Sequence, residues 1–276
     1  MTVRRRTQWL GAAVVLAVLA GAAAWGHRPE IVITRYRLAV PGNTTPVRLA
    51  VVSDTHSCVF ADHQQEIAHL VRAEQPDVIA LAGDIIDDDL PFERGFDTVR
   101  GMPAIAPTFY VTGNHEFWSG QAPQIKATMA SMGIEVLAGD SREITVRGQR
   151  LSVAGLDDPA AGPAREAQVE RLRASSSDAP RLLLAHRPEQ TALYESLQAD
   201  VIVSGHAHGG QWRAPVVLEN GLFAPNQGLF PRLTGGVHQL AGGRQLVISR
   251  GLARESTPVP RLHNPPEIVV ADLEPA

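Results

Sequence analysis

At 276 residues, 44% hydrophobic and 20% charged, the chain has the composition of ordinary globular protein and enough length for one large domain or two small ones. The net charge is −4, and setting aside Arg4, Arg5 and Arg6 leaves 22 basic against 29 acidic residues, or −7, which argues against a nucleic-acid groove as the main surface. A single cysteine, Cys58, excludes an intrachain disulfide.

Arg4-Arg5-Arg6 precedes an uncharged stretch from Trp9 to Trp25 rich in Ala, Val, Leu and Gly, so residues 1–26 read as a signal peptide or N-terminal membrane anchor. Seventeen residues is the short limit for a spanning helix, and Ala22-Ala23-Ala24 offers a cleavage site, so both readings fit. The arginines also suit twin-arginine export, although Gln8 stands where such signals carry an aromatic. The positive-inside rule puts the body on the extracytoplasmic face of a bacterial cytoplasmic membrane, anchored or exported. Residues 27–46 hold a linker and a first strand, Glu30 to Val40, and residues 47–274 form the main domain.

Val47 to Val52 predicts a buried strand running into Ser53-Asp54-Thr55-His56. A helix follows, capped by Asp62 with Gln65 three residues on, apolar at Ile67, Leu70 and Val71 and stopped by Pro76. The strand Asp77 to Ala82 delivers Gly83-Asp84-Ile85-Ile86-Asp87; after a helix at Phe92 to Arg100, the strand Pro107 to Thr112 delivers Gly113-Asn114-His115-Glu116. Ile125, Met129 and Met132 share a helical core face that ends at Gly133. Shorter strands follow at Ile134 to Leu137, Glu143 to Arg147 and Arg150 to Ala154, the last two joined by a tight turn at Gly148. Pro163 to Arg173 predicts a helix, Arg181 to Ala185 a strand delivering His186, and Pro188 the opening of another helix. Asp200 to Val203 then leads into Ser204-Gly205-His206-Ala207-His208; in an extended segment the two imidazoles would project together. Gln245 to Ser249 and Glu267 to Asp272 close the chain, with Gly242-Gly243 as a hairpin turn.

Strands alternating with helices predict an α/β fold around a largely parallel sheet, with a second, more antiparallel sheet packed on it. Ligands on such sheets collect at the carboxyl ends of the strands, and Asp54/His56, Asp84, Asn114/His115, His186 and His206/His208 all follow such an end. Carboxylate, imidazole and one amide oxygen, with no sulfur, favour Mn, Fe, Zn, Ni or Co over Ca. The set is too large for one ion and suits two, with Asp84 bridging, an arrangement that activates a bridging water and clamps a phosphoryl group for in-line attack.

The ordered motifs Asp54-Thr55-His56, Gly83-Asp84-Ile85-Ile86-Asp87, Gly113-Asn114-His115-Glu116, His186 and Gly205-His206-Ala207-His208 resemble those of the calcineurin-like metallophosphoesterases. Gly251-Leu252 and Pro265-Pro266-Glu267 resemble the membrane-associated or exported bacterial phosphodiesterase branch. The resemblance implies a four-layer α/β/β/α sandwich of two mixed β-sheets with a dimetal site at its edge. It implies Asp54, His56, Asp84 and His208 on one metal and Asp84, Asn114, His186 and His206 on the other. His115 is then a transition-state stabiliser or acid, and Asp87 the carboxylate that orients it.

Other residues receive plainer expectations. Cys58 is a small loop residue, His27, His63 and His69 are surface residues, and His238 and His263 sit in solvated turns. Arg187, Arg250 and Arg254 follow or flank strand ends and are weighed as phosphate contacts. Phe223, Leu229, Phe230 and Leu233 are expected to pack, with an apolar approach to the site as the other possibility. The implied function is a metal-dependent phosphodiesterase acting on a small-molecule or lipid phosphodiester. Hydrolysis of a lipid-linked nucleotide pyrophosphate, a nuclease and a metal-stabilised binding module are the rivals.

Overall fold

The structure, a computed structural model, describes residues 30–60, 64–214, 216–254 and 261–276. The N-terminal signal or anchor, His27, Asp62 and His63 therefore lie outside the described residues. In chain order the first half contains β1 (Val32–Val40), β2 (Val47–Val52), α1 (Glu66–Ala73), β3 (Val78–Ala82), α2 (Phe92–Val99), β4 (Thr108–Val111), α3 (Asn114–Trp118), α4 (Ala122–Ser131) and β5 (Glu135–Val136). The second half contains β6 (Asp140–Val146), β7 (Gln149–Leu156), α5 (Pro163–Ala174), β8 (Arg181–Ala185), α6 (Thr191–Ser196) and β9 (Val201–Ser204). It closes with β10 (Phe223–Ala224), β11 (Gly228–Leu229), β12 (Gly236–Gln239), β13 (Gln245–Ile248) and β14 (Glu267–Pro275).

Among the described residues two six-stranded sheets form, in the orders β1-β14-β2-β3-β4-β5 and β12-β13-β9-β8-β7-β6, beside the two-stranded ribbon β10-β11. The centre of each is parallel, as buried Val- and Leu-rich strands require. Antiparallel pairing enters at β14 with β2 in the first sheet, and at β12 with β13 and β6 with β7 in the second. The second sheet is thus only slightly the more antiparallel. The β6–β7 hairpin turns through Arg147 and Gly148, both at positive φ, which matches the twist of the flanking strands.

Alternation along the strands makes the layers. Leu49 and Val51 of β2, Val78 and Ala80 of β3, Leu182 and Leu184 of β8 and Val201 and Val203 of β9 face one another between the sheets. Ala50, Val52, Ile79 and Leu81 point the other way, against Ile67 and Val71 of α1, Phe96 and Val99 of α2, and Ile125 and Met129 of α4. On the far side Leu183, Ala185 and Ile202 meet Val169 and Leu172 of α5 and Tyr194 of α6. The result is the four-layer α/β/β/α sandwich. Removing a buried leucine from such a layer costs about 2–5 kcal/mol.

Two helix starts differ from expectation. α1 begins at Glu66, after Gln65, with no side-chain cap, so the box expected from Asp62 and Gln65 is not what opens it. Pro188 lies ahead of α6 rather than at its first turn, because the chain needs residues 186–190 to carry His186 and Arg187 round the sheet edge.

Candidate metal centre

The loops leaving β2, β3, β4, β8 and β9 converge on one edge of the sandwich. Asp54, His56, Asp84, His206 and His208 all adopt positive φ there, between 46° and 66°. Each non-glycine residue held in that region costs about 1 kcal/mol or more, so these turns persist because neighbouring contacts fix them. Asp54 N–H donates to the Gly83 carbonyl at 3.0 Å and His56 N–H to the Asp84 carbonyl at 2.9 Å, which ties the first two loops together. Gly113 and Gly205 are required by close approach: a β-carbon at Gly113 would strike the Asp84 carboxylate, and one at Gly205 would strike Ser53 and Asp54.

The side chains gather into two buried groups, Asp54 with His56 and His208, and Asp84 with His186 and His206. His186 Nε2 is 3.0 Å from Asp84 Oδ2, and His56 Nε2 reaches the same oxygen at 3.6 Å, so Asp84 stands between the groups. Asp54 Oδ1 is 3.9 Å from His56 Nε2 and 3.8 Å from His208 Nε2. The His206/His208 pair divides: His206 Nδ1 lies 3.2 Å from His186 Nε2, while the His208 ring lies against His56 at 5.1 Å between centroids. Extended alternation would have sent both rings the same way; the left-handed turns at 206 and 208 send them to different groups.

The outer hydrogen bonds set each tautomer. His186 Nδ1–H donates to the Ala82 carbonyl at 2.7 Å, leaving Nε2 to face Asp84. His56 Nδ1 is 3.0 Å from Asp87 Oδ2, leaving Nε2 inward. Among the described residues His56 Nε2 and Asn114 Oδ1 are buried with no hydrogen-bond partner, and Asp84 Oδ2 faces only the ring nitrogens of His186 and His56. Buried polar atoms are normally satisfied, and this set of inward imidazole nitrogen, carboxylate oxygen and amide oxygen fits divalent transition-metal ions.

The electrostatics follow from burial and crowding. Burial pushes the His186 imidazole down, but the adjacent Asp84 overrides it and raises its pKa to about 10. Burial would raise Asp84, yet His186 and His56 hold it well below the usual carboxylate range. Burial and the charge on His186 depress His206 to about 4, and burial with His56 and Arg261 holds His208 down as well.

His115 stands at the mouth, with its side chain 19% exposed, its ring 4.4 Å from that of His56 and a ring nitrogen close to both His56 and Asp84. Its Nδ1 is 2.5 Å from Asp88 Oδ1 and 3.5 Å from Asp87 Oδ2. Asp88 thus lies nearer to His115 than Asp87, the expected orienting carboxylate, and Asp87 also bonds His56. The two side chains diverge from adjacent positions, which motif matching alone does not resolve.

The family model for calcineurin-like phosphoesterases matches residues 47–210, and these are the residues that carry all of the site just described. The chain is a calcineurin-like phosphoesterase. It is 31% identical over 248 residues to phosphodiesterase YaeI of Escherichia coli, with 87% of each chain covered. It is 29% identical over 217 residues to the transmembrane protein with metallophosphoesterase domain of Danio rerio, covering 72% of this chain but only 49% of that one. Among solved structures, Haemophilus influenzae NAD nucleotidase aligns with a TM-score of 0.49 and 16% identity over 76% of this chain and 46% of its own.

Several residues of the phosphoesterase site escape a reading by motif. Glu116, fully buried, accepts from the N–H groups of Asp84 at 3.1 Å, Ile85 at 2.8 Å, Ile86 at 3.0 Å and Gly113 at 2.7 Å. It welds two loops and does not face substrate; burial and the charge on Asp84 raise its pKa to about 7 against the pull of those donors. Asn226 Oδ1 lies 2.7 Å from His206 Nε2 and also accepts from Arg187 Nη1 at 3.0 Å. Arg187 in turn forks onto Asp158 at 2.7 and 2.9 Å. Arg250 is likewise committed, to Glu267 at 2.5 Å, so neither arginine is held ready for phosphate. Cys58 is buried, and its Sγ accepts from Arg254 N–H. His69 falls on α1, and His238 on β12, where its Nε2 bonds the Gly235 carbonyl.

A cavity of about 480 Å³ opens beside Asp84, Asn114, His115, His206 and His208, and its other wall is Trp118, Trp212, Leu222, Phe223 and Pro225. Packing was the expectation for Phe223, Leu229, Phe230 and Leu233. Only Leu233 packs against a core; the other three are exposed. The two-residue strand β10 turns Ala224 inward and leaves Phe223 outward, with Leu229 of β11 and the following Phe230 exposed beside it.

Proposed function

We propose that the chain is a two-metal phosphodiesterase. The observation that carries this reading is the pair of buried groups meeting at Asp84, with His56 Nε2 and Asn114 Oδ1 buried and unpartnered and Asn114 lining the cavity beside Asp84. Asp54, His56, Asp84 and His208 would hold one ion and Asp84, Asn114, His186 and His206 the other. Divalent cations there supply the positive charge that attack on phosphorus requires. His115, bonded through Nδ1 to Asp88, would in its protonated form present Nε2–H to a phosphoryl oxygen or give that proton to the leaving oxygen.

The preference for a diester rests on charge. A monoester brings a second negative charge, and sites built for dianions add arginines beside the metals. Here Arg187 is neutralised by Asp158, while Asp87 and Asp88 stand beside His115. A dianion meets carboxylates that only the metals offset, and a monoanion meets less repulsion. The 31% identity to a protein named a phosphodiesterase points the same way. The test compares kcat/KM for a bis(aryl) phosphate and an aryl phosphate with the same metal and pH. The diester should be favoured, and a clear advantage for the monoester would overturn the assignment.

A further inference from the structure

The large hydrophobic side chains that stand exposed among the described residues all belong to loops at the carboxyl edge of the sheets. Val59 follows β2 and Trp118 ends α3, after β4. Trp212, Val216, Val217, Phe223, Leu229 and Phe230 lie between β9 and β12, with Val216 and Val217 88% and 86% exposed. Scattered surface hydrophobics are ordinary, but confinement to one edge around an apolar-walled cavity is not. Trp212 and Phe223 line that cavity, and the ladder between β10 and β11 sets Leu229 opposite Phe223. Phe230 N–H reaches back to the Leu222 carbonyl, and Val216 and Val217 form the tip of a turn closed between Ala214 and Leu218. Basic residues, Arg213 and Arg232, outnumber the one acid, Glu219, between residues 212 and 232.

Strand direction supplies a second, independent observation. β2 ends at the metal edge, β14 runs antiparallel to β2, and β1 runs parallel to β14. β1 therefore begins at the metal edge; Val32 N–H bonds the Pro266 carbonyl there, and Glu267 N–H bonds that of Gly251. The uncharged stretch from Trp9 to Trp25 is thus joined to this edge by residues 26–31 alone. Those six residues span at most about 20 Å. A bilayer held by the N-terminal stretch would lie against the same edge that exposes the apolar side chains.

We propose that this edge docks on a lipid bilayer, with Val216, Val217, Leu229 and Phe230 entering the headgroup and acyl boundary and the cavity opening onto the lipid. Aromatic residues with flanking arginines suit that depth. Taken with the phosphodiesterase reading, on which this step rests, the substrate is an amphiphile resident in the membrane. Its phosphate would sit at the metals and its apolar part against Trp118, Leu222 and Phe223. No helix among the described residues is long and apolar enough to cross a membrane.

The test uses the full chain in phosphatidylcholine vesicles, isolated by flotation, with an environment-sensitive fluorophore on Val216→Cys or, at the opposite edge ahead of β8, on Ser176→Cys. Cys58 is buried, so the label goes to the new thiol. The label at 216 should shift to the blue and be quenched by nitroxides on the acyl chains, while the label at 176 stays water-exposed. Water-like emission at both positions would overturn the proposal. So would failure of the chain to float with the vesicles, or a blue shift at 216 that follows protein density and not lipid nitroxide, which would mark self-association. This measurement needs no turnover, so it decides the docking even if the chain hydrolyses no diester. A second arm uses Val216→Glu with Val217→Glu: the ratio of vesicle-borne to soluble diester hydrolysis should fall by at least about tenfold. An unchanged ratio would count against the docking surface.

Discussion

At the amino ends of the strands, carboxylates meet donors. Asp77 accepts from Arg48 N–H at 2.9 Å and from Arg147 Nε at 2.7 Å, Asp200 accepts from Arg181 N–H at 2.7 Å, and Arg48 forks onto Asp272. At the carboxyl ends of the same strands, Asp54 and Asp84 are buried and, among the described residues, neither carboxylate is paired with an arginine or lysine; both are crowded by imidazoles, on backbone at positive φ. One edge is closed by protein groups, and the other is left for a charge the protein does not supply. The difference locates function by where the fold tolerates incomplete satisfaction.

The largest effect should come from filling or emptying the second edge. On the two-metal reading, each ion bound only to the folded state would stabilise it by about 4 kcal/mol at a thousand times its dissociation constant. A chelator should therefore lower the Tm of the wild-type chain substantially. Asp84→Asn should respond little, because its bridging charge is gone, and turnover should fall more than about 10⁴-fold. Metal analysis of the purified variant tests this, and two retained ions in Asp84→Asn would count against Asp84 as the shared ligand.

His115→Ala sharpens the contrast within the edge itself. Its ring lies beside His56 and Asp84 but is the partly exposed one at the mouth, bonded to Asp88, so on the proposed role the variant should keep its metals and Tm while kcat drops about 10²–10⁴-fold. Metal loss equal to that of His206→Ala would show that His115 is a ligand after all.

The adjacent carboxylates come next. Asp87 supports His56, so Asp87→Asn should weaken metal binding about 10- to 100-fold. Asp88 supports His115, so Asp88→Asn should leave metal affinity unchanged and lower kcat about tenfold. Titration of both apo variants with Mn²⁺, alongside kcat at saturating metal, separates them. Equal losses of affinity would mean that the two side chains act as one unit.

These pairs also mark how far sequence reasoning reached. Strand ends are legible because a buried run stops abruptly at a polar residue, and five such stops, three of them beside a glycine, bring Asp54, His56, Asp84, Asn114, His186, His206 and His208 onto one edge. The layers were legible from the periods of two and of 3.6. What stayed hidden depends on the rotation of single loop residues. Asp87 and Asp88 are neighbours with different partners, Glu116 turns inward to four N–H groups, and Asn226 reaches His206 across 20 residues of irregular chain. Phe223, Leu229 and Phe230 looked like core because hydrophobicity was the only signal, and a segment of two-residue strands carries no period to say which side is out.

The smallest expected effect belongs to the closed edge. Arg48 Nε lies 2.7 Å from Asp272 Oδ1 and Nη2 lies 3.0 Å from Oδ2, tying β2 to β14. The hydrogen bond from Arg48 holds the Asp272 carboxyl below the usual range, against a smaller opposing effect of burial. A carboxylate whose folded pKa is depressed contributes stability that is complete above its unfolded value, near pH 4, and is lost as the pH falls through the folded one. Both side chains are partly exposed, at 36% and 25%, so solvent screening leaves only about 0.5 kcal/mol. Asp272→Asn should thus lower the urea midpoint slightly at pH 7, and the gap from wild type should narrow below pH 4 as the wild-type carboxylate is protonated. Other acid-sensitive groups are common to both chains and cancel in the difference. A gap that widens on acidification would show that the pair is held by packing of the arginine stem and not by its charge.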